Sequence, residues 1–354
     1  MNTVITGTGS YIPERVVTNN DFIEQDFFAE DKLQIKQDKK VVIDKFEAIT
    51  GIKERRYADN GMNASDLATI AAERAIVNSQ IDREALDLII VAHNFGDVSH
   101  GNRQADTVPA LASRVKYALG IKNASCIAFD VLFGCPGWLM ALMQADAFFK
   151  AGMSRSALII GAETLSRVYD PFDRDSMIFS DGAGAAVLEY IQTEGGVLAS
   201  NALSHCQEEL GYLQMAPGNH PEACSQTLQL KMKGRKVYEY ALKHVPLAMK
   251  ACVDKSGVAI TDIKKVFIHQ ANEKMDEAIL DAFFRLYNME APENSMPMNI
   301  HDLGNSSVAT IPTLYDMVVH DYYQQHKLEN GDVVLFASVG AGMNINAVCY
   351  RYVK

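Results

Sequence analysis

The sequence alternates between short apolar runs, typical of buried β-strands, and longer segments with helical periodicity. Apolar runs occupy residues 86–95 and 156–164, and a helix-like segment over residues 64–79 precedes the first of them. A third strand-like run covers residues 182–191. Strands that alternate with helices form sheets covered by helical layers. The pattern therefore predicts an α/β fold.

A similar order of elements recurs from about Lys233 onward. A helix-like segment ends near Gly257, the strand-like stretch KKVFIHQAN follows, and residues 273–289 have the pattern of an amphipathic helix. Two strand-like runs around a Gly-rich bend, GDVVLFASVGAGMNINAVCYRYV, close the chain. We interpret the chain as two similar halves, residues 1–192 and 193–354, although no residue-level repeat is visible.

A net charge of −11 over 354 residues limits the partners that the chain can have. Nonspecific binding to nucleic acid or to an anionic membrane needs a basic face, so we expect neither. The N-terminal segment lacks a secretory pattern, and no run of about eighteen apolar residues predicts a membrane helix. The six cysteines are scattered without metal-site spacing, and we interpret them as reduced, mostly buried thiols of a cytoplasmic protein.

Two polar stretches interrupt the alternating pattern. Residues 22–47 are charge-rich and of mixed sign, which favours a solvated helical excursion over a partner-binding element. Residues 93–108 contain glycine and form a longer connection than usual, so they are a candidate functional or dimer-contact loop.

One cysteine, Cys135, lies where a strand-like run gives way to a helix-like segment in FDVLFGCPGW. Gly134 permits a sharp bend, and Pro136 suits the first position of a helix. An isolated cysteine is usually inert, but a thiol at a helix N-terminus faces unpaired N–H groups that favour the thiolate. We therefore expect Cys135 to be a reactive nucleophile.

Two further polar residues lie in turns, His269 in VFIHQAN and Asn305 in LGNSSVATIP. Gly304 permits a close backbone approach before Asn305, and Ser306 and Ser307 are candidate N-caps for the helix that follows. Each turn alone is more typical of a structural role, whereas three such junctions together favour a site. A papain-like hydrolase and a thioester-condensing enzyme both use Cys, His and Asn, but the C-G-S-C-W context of those proteases is absent.

An ordered set of longer motifs extends over nearly the whole chain. The set is TGTGSYIPERVVTN, GIKERRYA, FDVLFGCPGW, DPFDR, DGAGAAVLE, IHQAN, LGNSSVATIP and GDVVLFASVGAGMN. With these motifs the chain resembles the β-ketoacyl-acyl-carrier-protein synthase III family, condensing enzymes of the thiolase superfamily. The resemblance implies a thiolase-like duplicated fold with five layers, α/β/α/β/α, and a homodimer.

The resemblance also implies a reaction and the residues that perform it. The reaction would be decarboxylative Claisen condensation of an acyl thioester with malonyl-acyl-carrier protein in fatty acid biosynthesis. Cys135 would accept the acyl group from an acyl-CoA or acyl-carrier-protein donor, and the backbone N–H groups of Cys135 and Ala341 would form the oxyanion hole. Neutral His269, donating from Nε2, and Asn305 would stabilise the malonyl enolate, with no metal or redox cofactor.

The chain departs from the family pattern around the substrate entrance. Lys45 and Ile49 stand where the family has a tryptophan and an arginine that hold coenzyme A. Arg174 matches a CoA-contacting arginine, and Lys274 replaces an arginine that helps to dock the carrier protein. A basic run is a candidate carrier-protein patch or a solvated helix start: Lys231, Lys233, Arg235 and Lys236.

The departures leave the acyl donor open. In the family, the loop before Val108 reaches into the partner's acyl pocket, and here that loop is longer than usual. The resemblance therefore implies that this loop and Pro136, beside the cysteine, reshape the acyl pocket. The alternative function is that of a specialised relative that condenses or transfers acyl groups in secondary metabolite biosynthesis, with or without decarboxylation.

Overall fold

The computed structural model describes residues 1–354, which form thirteen strands and eight α-helices. The strands are β1 (Asn2–Tyr11), β2 (Arg15–Thr18), β3 (Glu54–Tyr57), β4 (Leu88–His93), β5 (Ile127–Leu132), β6 (Ser156–Thr164), β7 (Asp181–Ile191), β8 (Gly196–Ser204), β9 (Leu213–Pro217), β10 (Leu228–Met232), β11 (Ile263–Ile268), β12 (Val333–Gly340) and β13 (Asn344–Arg351). The helices are α1 (Lys39–Thr50), α2 (Ala64–Ser79), α3 (Leu111–Ala118), α4 (Gly137–Lys150), α5 (Gly234–Ser256), α6 (Glu273–Arg285), α7 (Ile300–Leu303) and α8 (Thr310–Val319).

Two mixed sheets share one topology. The first has the order β1-β7-β6-β4-β5, and the second has the order β8-β13-β12-β11. In each sheet the second strand is antiparallel to both the first and the third, and the fourth strand is parallel to the third. The duplication is therefore visible in strand order and direction. The boundary after residue 192 lies between β7 and β8.

The elements stack in five layers, as the resemblance implies. Helix α2 packs on the outer face of the first sheet, and α5 packs on the outer face of the second. Helices α4 and α8 lie between the sheets, and their apolar side chains join both inner faces in one core that includes Trp138 and Phe336. The predicted α/β fold and its thiolase-like layering are confirmed.

Complete burial explains why several strands are continuous apolar runs. All residues of β4 and β6 are buried, because each strand has helices on both faces. The amphipathic segment beginning at Glu273 forms α6, which buries Met275, Ile279 and Phe283, while Leu286 falls just beyond the helix. No helix in the structure has both the length and the apolar composition needed to cross a bilayer.

The charge-rich segment 22–47 is less helical and less solvated than its composition predicts. Only its last part is helical, in α1, and that helix buries Val42, Ile43 and Phe46 in a separate small core. This core also contains residues of β2, β3 and the turn Arg174–Ile178. The segment is therefore part of a packed core. Its composition hides this because charged residues outnumber the apolar ones, which nevertheless lie on one face of the helix.

The two sheets differ at one edge. Strand β5 is an outer strand of the first sheet and leaves Ile127 and Leu132 exposed. The second sheet ends one strand earlier, at β11, the counterpart of β4. The Val266 N–H of β11 donates to the carbonyl oxygen of Ser295, which lies outside any strand. An irregular segment thus lies where a fifth strand would complete the duplication.

Candidate active site

The backbone at Cys135 is held by close approach between two chain segments. Cys135 follows β5, and α4 begins at Gly137, two residues later. A Cβ on Gly340 would lie 2.6 Å from the Cys135 nitrogen, and a Cβ on Gly134 would lie 2.8 Å from the Ala341 nitrogen. Only glycine fits at these two positions, which bring the Gly-rich bend after β12 against the N-terminus of α4.

Burial governs the ionisation of the Cys135 thiol. Desolvation raises the pKa of Cys135 to about 11, and hydrogen bonds from Ser307 and from its own backbone N–H only partly oppose the rise. The direction of this pKa shift is opposite to the one expected from the helix N-terminus alone. Removing a thiolate from water costs more than these donors return.

A chain of hydrogen bonds leads from the sulfur into the core. The Ser307 hydroxyl donates to Cys135 Sγ at 3.4 Å, and Asn94 Nδ2 donates to the Ser307 hydroxyl at 3.0 Å. The Asn94 backbone and side-chain N–H groups also donate to Glu163. Burial raises the pKa of Glu163 to about 7. A carboxyl group that titrates near neutrality is thus linked to the thiol through two side chains.

His269 lies just after β11 and before α6, as its sequence context predicts. Its backbone N–H donates to Ala337 on the neighbouring strand, and its Nδ1 lies 2.7 Å from the Thr310 hydroxyl. Its Nε2 has no hydrogen-bond partner in the protein. Burial lowers the pKa of His269 to about 3, so the imidazole is neutral at physiological pH.

Asn305 is fixed on both its backbone and its side chain. Its N–H donates to the carbonyl of Ile178, and its carbonyl accepts the N–H of Ser180. These two bonds form an isolated parallel β-bridge with Phe179. Its Oδ1 accepts the Ser307 N–H at 2.8 Å, so the amide nitrogen faces the other way, without a protein partner. Asn305 follows the short helix α7 rather than a strand, which differs from the expected strand-to-helix junction.

The two serines after Asn305 do not cap α8 as expected. The residue before α8 is Ala309, without a side-chain capping bond, and a 3₁₀ turn over Ser307–Ala309 separates Asn305 from the helix. Ser307 adopts the left-handed backbone region, with φ of 54°. That conformation aims its hydroxyl at Cys135 and its N–H at Asn305, so the residue links the two.

Arg55, in the GIKERRYA motif, supports this arrangement from behind. Its side chain is completely buried, and its guanidinium donates to Val17, Asn19 and Met177. Met177 belongs to the turn that leads to the partners of Asn305. The motif therefore ties strands β2 and β3 to the segment that positions the carboxamide.

Cys135, His269 and Asn305 line a single cavity of about 230 Å³. Ala341 and Ser307 line it too, and most of the remaining wall is apolar, including Phe95, Phe179, Leu213, Met215, Leu230 and Met343. The three residues predicted from separate turns thus meet at one place. The cavity can hold an uncharged acyl chain next to the sulfur.

A second cavity, of about 560 Å³, opens next to the first. Four residues line both, namely Met232, Val237, Ala271 and Met275, so the two cavities are adjacent, and we call the second one the entrance. Lys45, Ile49, Arg174 and Arg235 line this entrance. Lys274 is exposed on the first turn of α6 and lines neither cavity.

One member of the basic run is withdrawn from the surface. Lys231 is mostly buried, with its ammonium paired to Asp170 at 2.9 Å and also to Asp173. It therefore neutralises acidic side chains within the protein. Arg235, by contrast, has a largely exposed side chain at the entrance, and its Nε lies 2.8 Å from Glu239 Oε1.

Sequence reasoning missed several residues around the three predicted ones. Thr310, Asn94 and Glu163 are polar residues within or next to apolar elements, and their distance from the site in sequence hides their contacts. For Ser307 the sequence predicts only a helix-capping role. All six cysteines are free thiols, but Cys206 and Cys224 are exposed rather than buried. No group of three or more His, Cys, Asp or Glu side chains is arranged to hold a metal ion.

The duplicated five-layered fold is that of the thiolase-like condensing enzymes. The family description 3-oxoacyl-acyl-carrier-protein (ACP) synthase III matches residues 129–205, and its C-terminal counterpart matches residues 253–352. A β-ketoacyl-acyl-carrier-protein synthase III of Erythrobacter litoralis is 34% identical, covering 98% of each chain. The corresponding protein of Rhodospirillum centenum is 33% identical, covering 99% of each.

Solved structures agree with these relatives. The synthase III of Thermus thermophilus is 31% identical, with a TM-score of 0.80 and coverage of 99% of each chain. That of Aquifex aeolicus is 30% identical, with a TM-score of 0.78, over 99% of this chain and all of the other. The chain belongs to the 3-oxoacyl-acyl-carrier-protein synthase III family, which makes it an acyltransferase of the condensing type.

Proposed function

We propose that the protein condenses an acyl thioester with malonyl-acyl-carrier protein, releasing CO₂, in fatty acid biosynthesis. The observation that carries the proposal is the meeting of Cys135, His269 and Asn305 in one apolar cavity next to the entrance. The named relatives are β-ketoacyl-acyl-carrier-protein synthases, and they do not favour the specialised secondary-metabolite alternative.

In the first step, the Cys135 sulfur attacks the carbonyl carbon of the acyl donor. The carbon–sulfur bond to the donor breaks, and the departing thiolate takes up the proton that the Cys135 thiol releases. The carbonyl oxygen carries negative charge in the transition state. Backbone N–H groups of Cys135 and Ala341, which the glycine contacts bring together, stabilise that charge because they are already oriented.

In the second step, malonyl thioester loses CO₂ and becomes an enolate. The unpartnered Nδ2 of Asn305 and Nε2 of His269 are the donors for its oxygen. The enolate carbon attacks the acyl-Cys135 carbonyl, forming the β-ketoacyl thioester and freeing the sulfur, which takes a proton from water. The two donors accelerate the step because they act on charge that develops only in the transition state. The proposed steps use the protein's own groups, the two thioesters and water.

The entrance supplies positive charge for the phosphate of the substrate's pantetheine arm. Lys45, Arg174 and Arg235 line the entrance around apolar residues such as Ile49. We assign Arg174 to the phosphate and the exposed Lys274 to an acidic carrier-protein surface outside the cavity. A lysine binds an anion as a point charge, without the paired geometry of an arginine. Coenzyme A and the carrier protein present the same pantetheine arm, so either fits as acyl donor.

The reaction is tested by intact-protein mass spectrometry after incubation with a panel of acyl-CoA and acyl-carrier-protein donors. We expect the wild-type protein to gain one acyl group and Cys135→Ala to gain none. A wild-type protein that gains no acyl mass from any donor would overturn the proposed function. Adding malonyl-acyl-carrier protein should then remove the acyl group and release CO₂.

The active form is a homodimer that pairs β5 with its copy. This edge strand and its surroundings expose large apolar side chains, with Leu132 72% exposed and Val108 and Tyr117 more so. An unpaired apolar edge strand is a surface for strand addition. Leu132→Lys should shift the mass measured by light scattering from dimer to monomer, whereas Val77→Lys, on the outer helix α2, should not. A wild-type protein that is monomeric at micromolar concentration would contradict this assignment.

A further inference from the structure

The hydroxyl of Thr310 lies at the inner edge of the His269 ring. Its oxygen is 2.7 Å from His269 Nδ1 and 3.0 Å from the carbonyl oxygen of Ser307. Both Thr310 and His269 are buried, with 4% and 3% of their surface exposed. His269 lines the catalytic cavity and Thr310 does not. The ring therefore has its Nδ1 edge against the protein and its Nε2 edge toward the substrate.

The single hydroxyl proton of Thr310 has two acceptors within reach. If the proton points to the Ser307 carbonyl, Nδ1 must carry the ring proton, and Nε2 becomes an acceptor. If the proton points to Nδ1, the ring proton is on Nε2, which becomes a donor. A neutral imidazole has one N–H, and burial keeps His269 neutral, so the orientation of this hydroxyl selects the tautomer.

Two observations favour donation to Nδ1. The Ser307 carbonyl already accepts the backbone N–H of Thr310, so it is satisfied without the hydroxyl. An imidazole nitrogen is also a more basic acceptor than an amide oxygen, and Nδ1 lies within hydrogen-bond distance of the hydroxyl, at 2.7 Å. We propose that Thr310 is a positioning residue that donates its hydroxyl proton to His269 Nδ1 and thereby holds the ring proton on Nε2.

This inference rests on the proposed function, because it explains how His269 becomes a donor to the malonyl enolate. Without the hydroxyl, the inner edge of the ring has no hydrogen-bond partner, and the ring is free to turn or to change tautomer. Partners that orient a histidine through its second nitrogen typically contribute about 10- to 100-fold to the affinity or activity of a site. The acylation of Cys135 does not use the Nε2 donor and should be spared.

The experiment compares three variants on the same helix. Thr310→Val removes the hydroxyl with little change of shape, and Thr310→Ser keeps a hydroxyl. The matched control is Thr313→Val, one turn further along α8, because Thr313 is also buried and its hydroxyl lies 3.5 Å from the Ala183 carbonyl, away from His269. Each protein is assayed for Cys135 acylation by mass, and for CO₂ release from malonyl-acyl-carrier protein.

We expect Thr310→Val to lose about 10- to 100-fold in CO₂ release while its acylation stays near that of the wild type. Thr310→Ser should restore most of the release, and Thr313→Val should show no selective loss of it. Undiminished release in Thr310→Val, or an equal loss of both activities with no rescue by serine, would overturn the assignment.

The tautomer itself is read by ¹⁵N NMR of the ring nitrogens in wild-type protein, with His269→Asn used to assign the signals. A protonated Nε2 and a hydrogen-bonded, unprotonated Nδ1 are expected, and a protonated Nδ1 would overturn the proposal even if Thr310→Val fails to fold. A wild-type protein that neither acylates nor releases CO₂ would count against the proposed function, while the NMR result would still decide the tautomer.

Discussion

The junctions before α4 and before α8 face the same cavity from the two halves of the molecule, but they are built differently. At the first, glycines let two chain segments meet, and the sulfur of Cys135 has one side-chain donor, Ser307 at 3.4 Å. At the second, Asn305 is bonded through its N–H, its carbonyl and its Oδ1. The nucleophile is thus positioned mainly by steric contact, and the carboxamide mainly by hydrogen bonds.

The difference corresponds to the two chemical steps. A nucleophile must move from thiol to thioester and back, so a close backbone fit with few side-chain bonds leaves its sulfur free to react. A donor to an enolate must stay in one orientation, because its effect depends on being in place before the charge develops. Changes at the first junction should therefore affect acyl transfer, and changes at the second should affect decarboxylation.

The largest expected effect comes from removing the nucleophile. Cys135→Ala should reduce condensation by more than about 10³-fold, because no acyl-enzyme can form. It should still release CO₂ from malonyl-acyl-carrier protein, since the second junction is intact. The measurement is β-ketoacyl product against CO₂, with Cys206→Ala as an exposed-cysteine control. Loss of both activities in a folded Cys135→Ala protein would show that the two junctions do not act separately.

The converse change removes a donor from the second junction. Asn305→Ala should lower CO₂ release by about 10²- to 10³-fold, the usual cost of one oriented donor. His269→Ala should behave in the same way. Cys135 should still become acylated in both variants, as measured by intact mass. Undiminished CO₂ release in either variant would remove that residue from its assigned role.

The sequence predicts the layered fold because periodicity is a local property of the chain. Helix α2 and strand β6 occupy the residues that their patterns indicate. The sequence also identifies Cys135, His269 and Asn305 as candidate site residues. Each lies in a predicted turn, and turns are recognisable from local glycine, proline and asparagine residues. That these turns meet in one cavity depends on the packing of α4 and α8 between the sheets. The three junctions together favour a site, and the resemblance to a known family assigns its residues their roles.

The ionisation of the site could not be predicted from local sequence. A helix N-terminus favours a thiolate, yet burial raises the pKa of the Cys135 thiol. The apolar residues that line its cavity come from distant segments, such as Phe95, Leu213 and Met343. Ser307 was expected to cap a helix, and Thr310 has no motif that signals its contact with His269. Such tertiary contacts leave no pattern in a single sequence.

A smaller effect should follow from filling the close contact at the first junction. Gly340→Ala places a Cβ within 2.6 Å of the Cys135 nitrogen and 2.7 Å of Pro136, so the two segments must separate. Overpacking of this kind costs about 1–3 kcal/mol in the free energy of unfolding. Displacing the oxyanion donors should also slow acylation more than malonyl decarboxylation.

The matched control for Gly340→Ala is Gly61→Ala, whose added Cβ meets nothing within 4 Å. Thermal denaturation and the rate of acyl-mass gain measure the two effects. If Gly340→Ala acylates at the wild-type rate, steric contact does not position Cys135. The proposed difference between the two junctions would then be wrong for the first junction.

The smallest effect is expected where the two junctions touch, at Ser307. With the pKa of Cys135 at about 11, the thiolate fraction should rise about tenfold per pH unit from about pH 7 to about pH 10. Alkylation by iodoacetamide, followed at Cys135 by mass, should therefore keep accelerating above pH 8.5, where a free cysteine begins to level off. Ser307→Ala removes a hydrogen bond that favours the charged form, so the pKa should rise further.

Loss of that one hydrogen bond, about 0.5–1.5 kcal/mol, should slow alkylation at neutral pH by roughly two- to tenfold. Because Ser307 also donates its N–H to Asn305, and that bond survives in Ser307→Ala, CO₂ release should change less than alkylation. A plateau near pH 8.5 in the wild type would mean that burial does not control the thiol. Faster alkylation in Ser307→Ala would mean that the hydroxyl hinders the sulfur instead of stabilising its charge.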